Sequence, residues 1–252
     1  SNTQGSIRVM ANNGDVVVTA GGGQNGGGVE TPNYAQIGNG GHENNGNHGV
    51  AGDTIAVTAN NVTLTGGATV DEAYAQIGNG GFGANGNHAG DIQVSVTNNL
   101  SVTGGSAGAE AYALIGHGGV SDGFSFAAPT VVSGGTRQGD ILLDVFNGTS
   151  TMADSAGLGF LGHLGTGATL AGSRFALITD TFNTAASLAG VSSIIQSMAS
   201  GGSVEIGVLG GDLNIGGPGA FVNTTEHIDL LASGNVNFTA AVLNAGTGAI
   251  NV

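Results

Sequence analysis

Carboxylates and imidazoles recur in this chain at fixed places, and both are groups that bind metal ions or move protons. Asp53, Asp91 and Asp140 each follow a glycine at the head of a repeated run, and Asp15 and Asp212 sit in similar Gly-Asp pairs. Acids stacked at strand spacing repel one another, and a calcium ion would relieve that repulsion. The same carboxylates can instead accept hydrogen bonds from turn amides. Tandem GGxGxDxUx nonapeptides of the calcium-binding type are missing, so the turn role is the expectation.

Four of the histidines fall into register. His48 and His88 recur in Asn-Gly-Asn-His, while His117 and His163 share a column with Asn39 and Asn79. Asparagine rarely ligates zinc, and no carboxylate keeps a constant spacing to that column. Hydrogen bonding within turns is therefore expected there as well. For acid and base chemistry, Asp140 and Asp144 share one face of a strand, but four residues of extended chain span about 13 Å, too far for the usual carboxylate pair. Asp154 opens Asp-Ser-Ala-Gly without a histidine in register. Thr63-Leu64-Thr65 has the pattern of an ice-binding face, but the next copy reads Ser101-Val102-Thr103 and the array is lost. No catalytic, cofactor or metal residue is assigned, and the chain is not expected to be an enzyme.

Charge narrows the partners. The chain has 17 acidic residues against three arginines, Arg8, Arg137 and Arg174, and a net charge of −14. Nucleic-acid binding needs Lys and Arg to displace counterions from phosphates, and attachment to anionic lipid needs them too. With no cysteine, disulfides and thiolate sites are excluded. No apolar run reaches the roughly 18 residues of a membrane helix, so no transmembrane segment is expected. The beginning and end of the chain look like cuts through a repeat, which points to a segment of a longer polypeptide.

The elements that would position these groups come from repetition. YAQIGNGG from Tyr34 returns as YAQIGNGG from Tyr74 and as YALIGHGG from Tyr112, with a worn copy, LGFLGHLG, from Leu158. Self-similarity at such a period marks a stacked architecture. Each copy offers three strand-like runs separated by Asn, Gly and Asp. In GDIQVSV, Ile92, Val94 and Val96 share the inward face, and Leu100 and Val102 follow them inward. In the third run Ala111, Ala113 and Ile115 point inward, leaving Tyr112 and Leu114 outside with Gln36 and Gln76 as counterparts of Leu114. Tyr34, Tyr74 and Tyr112 would form an external ladder, and Asn60-Asn61 and Asn98-Asn99, preceded by Asn12-Asn13, an amide ladder at one corner. One period is read as one turn in preference to two small ones.

The expected fold is all-β, a right-handed parallel β-helix, or β-solenoid, with one short helical insertion. Residues 1–165 hold regular repeats of about 38–48 residues and residues 166–252 a looser continuation. In 184–200, Leu188, Val191, Ile194, Ile195 and Met198 fall at helical spacing before Gly201-Gly202, which predicts an amphipathic helix.

The alternation of GDIxVxxxNNLxVTGG with AYAxIGHGG resembles the repeats of large exported bacterial proteins of the filamentous haemagglutinin and adhesin type. The resemblance is good over residues 5–165 and loose beyond. It implies a β-helix exported unfolded through the two-partner or autotransporter route. It further implies a stalk or adhesive fibre that is secreted or held at the outer-membrane surface. The implied partners are an outer-membrane translocator and a host or neighbouring-cell surface, through glycans or protein receptors. No ligand-binding residues come with these repeats. The alternatives are a carbohydrate-active β-helix enzyme, hydrolase or lyase, and a calcium-stabilised structural roll.

Overall fold

The computed structural model describes residues 2–21, 33–108, 110–122, 135–155, 157, 159–164, 173–186, 194–196, 203–216, 221–223, 227–239 and 242–252. Among these residues every regular element is a strand, and neighbouring strands run parallel. Parallel partners need long connections, and here the connection is the rest of a repeat. Ile55 pairs with Ile92, Val62 with Leu100 and Ala75 with Ala113. Each copy thus lies residue for residue on the next, and one period supplies one strand to each of three columns.

The first column runs Ile7–Met10, Thr54–Ala59, Asp91–Val96, Ile141–Asp154, Arg174–Ala186, Ser203–Val208, His227–Ala232 and Ile250–Asn251. The second begins with Val16–Thr19, Val62–Thr65 and Leu100–Thr103. It joins the first into one sheet because Ile141–Asp154 and Arg174–Ala186 run through both, with a register shift between Val145 and Thr149. The third holds Ala35–Ile37, Ala75–Ile77, Ala113–Ile115, Gly159–Leu161, Ile194–Gln196, Phe221–Asn223 and Val242–Asn244. The repeat contracts in the second half of the chain: Ile92 pairs with Ile141, 49 positions on, and Ile228 with Ile250, 22 positions on.

The main core lies between the columns. Ile92, Val94, Val96, Leu100, Val102, Ala113 and Ile115 are all buried in it, as the alternation predicts. Each such Val, Ile or Leu stabilises the fold by about 1.5–3 kcal/mol relative to exposure. Because like residues recur in like places, the core is a set of apolar columns.

Three expectations need correction. Tyr112 and Leu114 are fully buried and so are Tyr74 and Gln76, so the face assigned to solvent is a second core. Phe82 and Val120, which follow Gly80-Gly81 and Gly118-Gly119, and Leu164, which stands level with Gly118, pack over it with Tyr74, Tyr112, Leu114 and Phe160. The tyrosines do stack, with centroids 5.1 and 4.9 Å apart and planes within 4°, but only Tyr34 at the end of the ladder is exposed. The helix at 184–200 is absent from its described parts. Residues 184–186 extend the strand Arg174–Ala186, and Ile194 and Ile195 pair with Phe160 and Leu161; residues 187–193 and 197–200 lie outside the described residues. Unpaired edges of the preceding copy offer that segment backbone partners, which outweigh a helical side-chain spacing. Finally, the amide ladder begins at Asp15, whose Oδ1 accepts the Asn61 N–H at 3.1 Å, and not at Asn13. Asn61 Oδ1 then accepts from Asn99 at 3.1 Å, and Asn99 Oδ1 from Thr149 at 3.1 Å.

The recurring glycines have a steric cause. A Cβ on Gly38, Gly78 or Gly116 would stand 1.9 Å from the carbonyl oxygen of Gly78, Gly116 or Gly162 in the next copy. One on Gly41 or Gly81 would strike the hydroxyl of Tyr34 or Tyr74, at 2.5 and 2.3 Å. The motif is therefore a backbone column closed by a ring.

Candidate functional site

The recurring carboxylates are engaged by backbone. Asp53 Oδ2 accepts the amides of Gly5 and Val50, at 3.0 and 3.1 Å. Asp91 Oδ1 accepts the Asp140 amide and Asp140 Oδ1 the Arg174 amide, each at 3.0 Å. Asp212 Oδ1 does the same for Asn235 at 2.7 Å. Asp91, Asp140 and Asp212 thus bind the next copy's backbone, and Asp53 that of its own copy and the one before, through charge-assisted hydrogen bonds. The side chain of Asp154 lies outside the described residues.

The column of Asn39, Asn79, His117 and His163 works in the same way. Asn39 donates its amide to Asn79 Oδ1 at 2.8 Å, Asn79 to His117 Nδ1 at 2.9 Å, and His117 to His163 Nδ1 at 3.0 Å. On the other side Asn79 Nδ2 donates to Ala89 at 2.8 Å, His117 Nε2 to Gly90 at 2.7 Å and His163 Nε2 to Gly139 at 2.8 Å. An accepting Nδ1 and a donating Nε2 require the neutral Nε2-H tautomer, assigned here from the network. Burial, the neighbouring imidazole and Arg137 hold His117 well below the usual histidine range. Burial pushes His163 down to about 4. His88, stacked on His48 with centroids 5.2 Å apart, is pushed down to about 3 by burial and by Arg137. Arg137 is itself buried, and its Nη1 donates to the Gly86 carbonyl at 2.6 Å.

Side chains turned to other side chains lie on the outer face of the shorter copies. Register places Arg174, Ser203 and His227 in one row, Ala176, Glu205, Asp229 and Asn251 in the next, and Ile178, Gly207 and Leu231 in a third. Arg174 grips Glu205 at both oxygens, through Nε at 3.0 Å and through Nη2. That carboxylate in turn holds the guanidinium above its ordinary pKa. His227 Nε2 is 3.4 Å from Asp229 Oδ2, and ligand atoms of Glu205, His227 and Asp229 lie within 4.8 Å of one another. Beside them Gly207 leaves a gap between Ile178 and Leu231, the floor of a groove of about 700 Å³ that Glu205 and Asp229 also line. Spacing along the chain does not reveal this group, because it occurs once. Laying Ser-Val-Glu-Ile from Ser203 over His-Ile-Asp-Leu from His227 would have found it.

A second acidic group, Glu72, Glu110 and Asp122, has His42 beside it: His42 Nε2 is 2.8 Å from Glu72 Oε2 and its ring stacks on Phe82. Among the described residues no helix is long and apolar enough to cross a membrane.

No protein-family model matches this sequence, and neither a curated protein nor a solved structure does.

Proposed function

We propose that this chain is a length of right-handed parallel β-helix from a large exported bacterial surface protein of the filamentous haemagglutinin and adhesin type. It serves as a rigid spacer whose loops present the contact surface. The observation that carries the reading is the column: Tyr34, Tyr74 and Tyr112 stacked at strand spacing, on strands that pair in parallel and in register. Parallel strands of one sheet joined by a crossover are right-handed in about 98% of cases, which supports the hand.

Each turn adds about 4.8 Å of length and is bonded through its backbone to the turns on both sides. Rigidity then needs no disulfide, in keeping with a chain that has no cysteine and passes an outer-membrane translocator unfolded. The charge of −14 keeps neighbouring rods apart. Secreted or held at the outer membrane, the rod meets a host or neighbouring cell through glycans or protein receptors.

Beads coated with the chain test this when presented to cells and to a glycan array, with and without calcium. Saturable attachment with no cleavage of the glycans is expected. Release of sugar from a polysaccharide panel would replace the adhesive reading by an enzymatic one, and unfolding in chelator would replace it by a calcium-stabilised roll.

A further inference from the structure

We propose that Glu205, His227 and Asp229 bind one zinc-type divalent ion on the outer face of the sheet. One imidazole nitrogen and two carboxylate oxygens are a donor set that zinc takes in three of its four tetrahedral positions. At bond lengths of about 2.0–2.1 Å the edge of such a tetrahedron is about 3.3 Å, and His227 Nε2 already lies 3.4 Å from Asp229 Oδ2. The Glu205 carboxylate, within 4.8 Å of both, completes the set by a side-chain rotation.

The acids of the Gly-Asp pairs set this group apart. Asp15, Asp53, Asp91, Asp140 and Asp212 each hold a backbone amide. Among the described residues, Glu205 and Asp229 bond to side chains, those of Arg174, Asn251 and His227. Register places the two carboxylates directly opposite on adjacent strands, where like charges destabilise. A divalent ion offsets both charges. Arg174 is the counterion to Glu205 when no metal is present, and with half of its side chain exposed it is free to swing into solvent. The ion would clamp the strand Ser203–Val208 to His227–Ala232, leaving its fourth position open to solvent.

Titration calorimetry of the full chain with zinc chloride, after stripping with chelator, tests the site. One ion per chain is expected, together with a higher unfolding temperature in zinc. His227→Ala and Asp229→Asn should each weaken binding at least about tenfold, since loss even of outer-shell partners costs about 10–100-fold. Arg174→Gln should tighten it, and His42→Ala should leave it unchanged. In the parent chain the ring nitrogens of His227 should shift in ¹⁵N spectra on addition of zinc, a readout that needs no variant. Absence of binding at millimolar zinc, or binding that survives His227→Ala and Asp229→Asn but is lost in His42→Ala, would overturn the assignment.

Discussion

The backbone amide of His117 donates to Nδ1 of His163 at 3.0 Å, and the two rings lie parallel with centroids 4.9 Å apart. One copy before, Asn79 takes the position of His117 with the same pair of bonds, an oxygen accepting and a nitrogen donating. Neutral imidazole and carboxamide are thus interchangeable in this column, and imidazolium is not, because its Nδ1 would carry a proton toward an amide N–H.

That equivalence predicts acid sensitivity. His163 titrates at about 4 and His88 at about 3 in the fold, against about 6.5 in the unfolded chain. Between those values the unfolded state binds more protons, so stability falls as pH falls. The contribution is complete above pH 6.5 and is lost from there down to about 4 for His163 and about 3 for His88, on the order of 3–5 kcal/mol for each histidine over its whole window. Urea unfolding at pH 7 and pH 4.5 measures it. His163→Asn should keep the hydrogen bonds and reduce the difference between the two pH values; an unchanged difference would contradict the ladder.

The glycine column predicts a sharp positional contrast. A methyl on Gly116 would stand 1.9 Å from the Gly162 carbonyl oxygen, whereas one on Gly211 meets nothing within 4 Å. Gly116→Ala should therefore cost more than about 3 kcal/mol or prevent folding, while Gly211→Ala should stay within about 0.5 kcal/mol of the parent. Thermal unfolding of the two variants decides it, and equal stabilities would mean that the copies are not stacked at this register.

Tyr112 combines a stacked ring with a hydroxyl that finds no hydrogen-bond partner among the described residues. Burial, reinforced by Tyr74, holds its phenol well above the usual tyrosine range. Removing a buried unpaired hydroxyl is neutral or stabilising, so Tyr112→Phe should unfold at the same temperature as the parent or a higher one. Tyr112→Ala removes a buried ring and should cost about 3–5 kcal/mol. A large loss in Tyr112→Phe would reveal a bond to the hydroxyl.

Ile92, Val94 and Val96 could be placed inward from the sequence because a strand alternates with period two whatever covers it. The same rule places Tyr112 opposite Ala113 but leaves open what lies over the ring. The answer depends on Phe82, Val120 and Leu164, which reach Tyr74, Tyr112 and Leu114 only after the glycine-rich segments fold back. At Ile194 and Ile195 helical spacing misled, because a free strand edge at Phe160 and Leu161 supplies the backbone with partners that no local pattern records. Glu205, His227 and Asp229 escape notice for a related reason: two sit on one strand and the third on the strand before, and they meet only when the copies are laid over one another at the contracted repeat.

What the sequence determined by itself was the periodicity: strands of one kind, recurring glycines where neighbouring backbones meet, and tyrosines 40 and 38 positions apart. Those follow from side-chain size and alternation, which are local. The tertiary structure alone decided which copy pairs with which residue, which faces gain a second layer, and which charges are set side by side. Each of these depends on the distance between segments remote in the chain, and parallel register fixes that distance only once the copies are stacked.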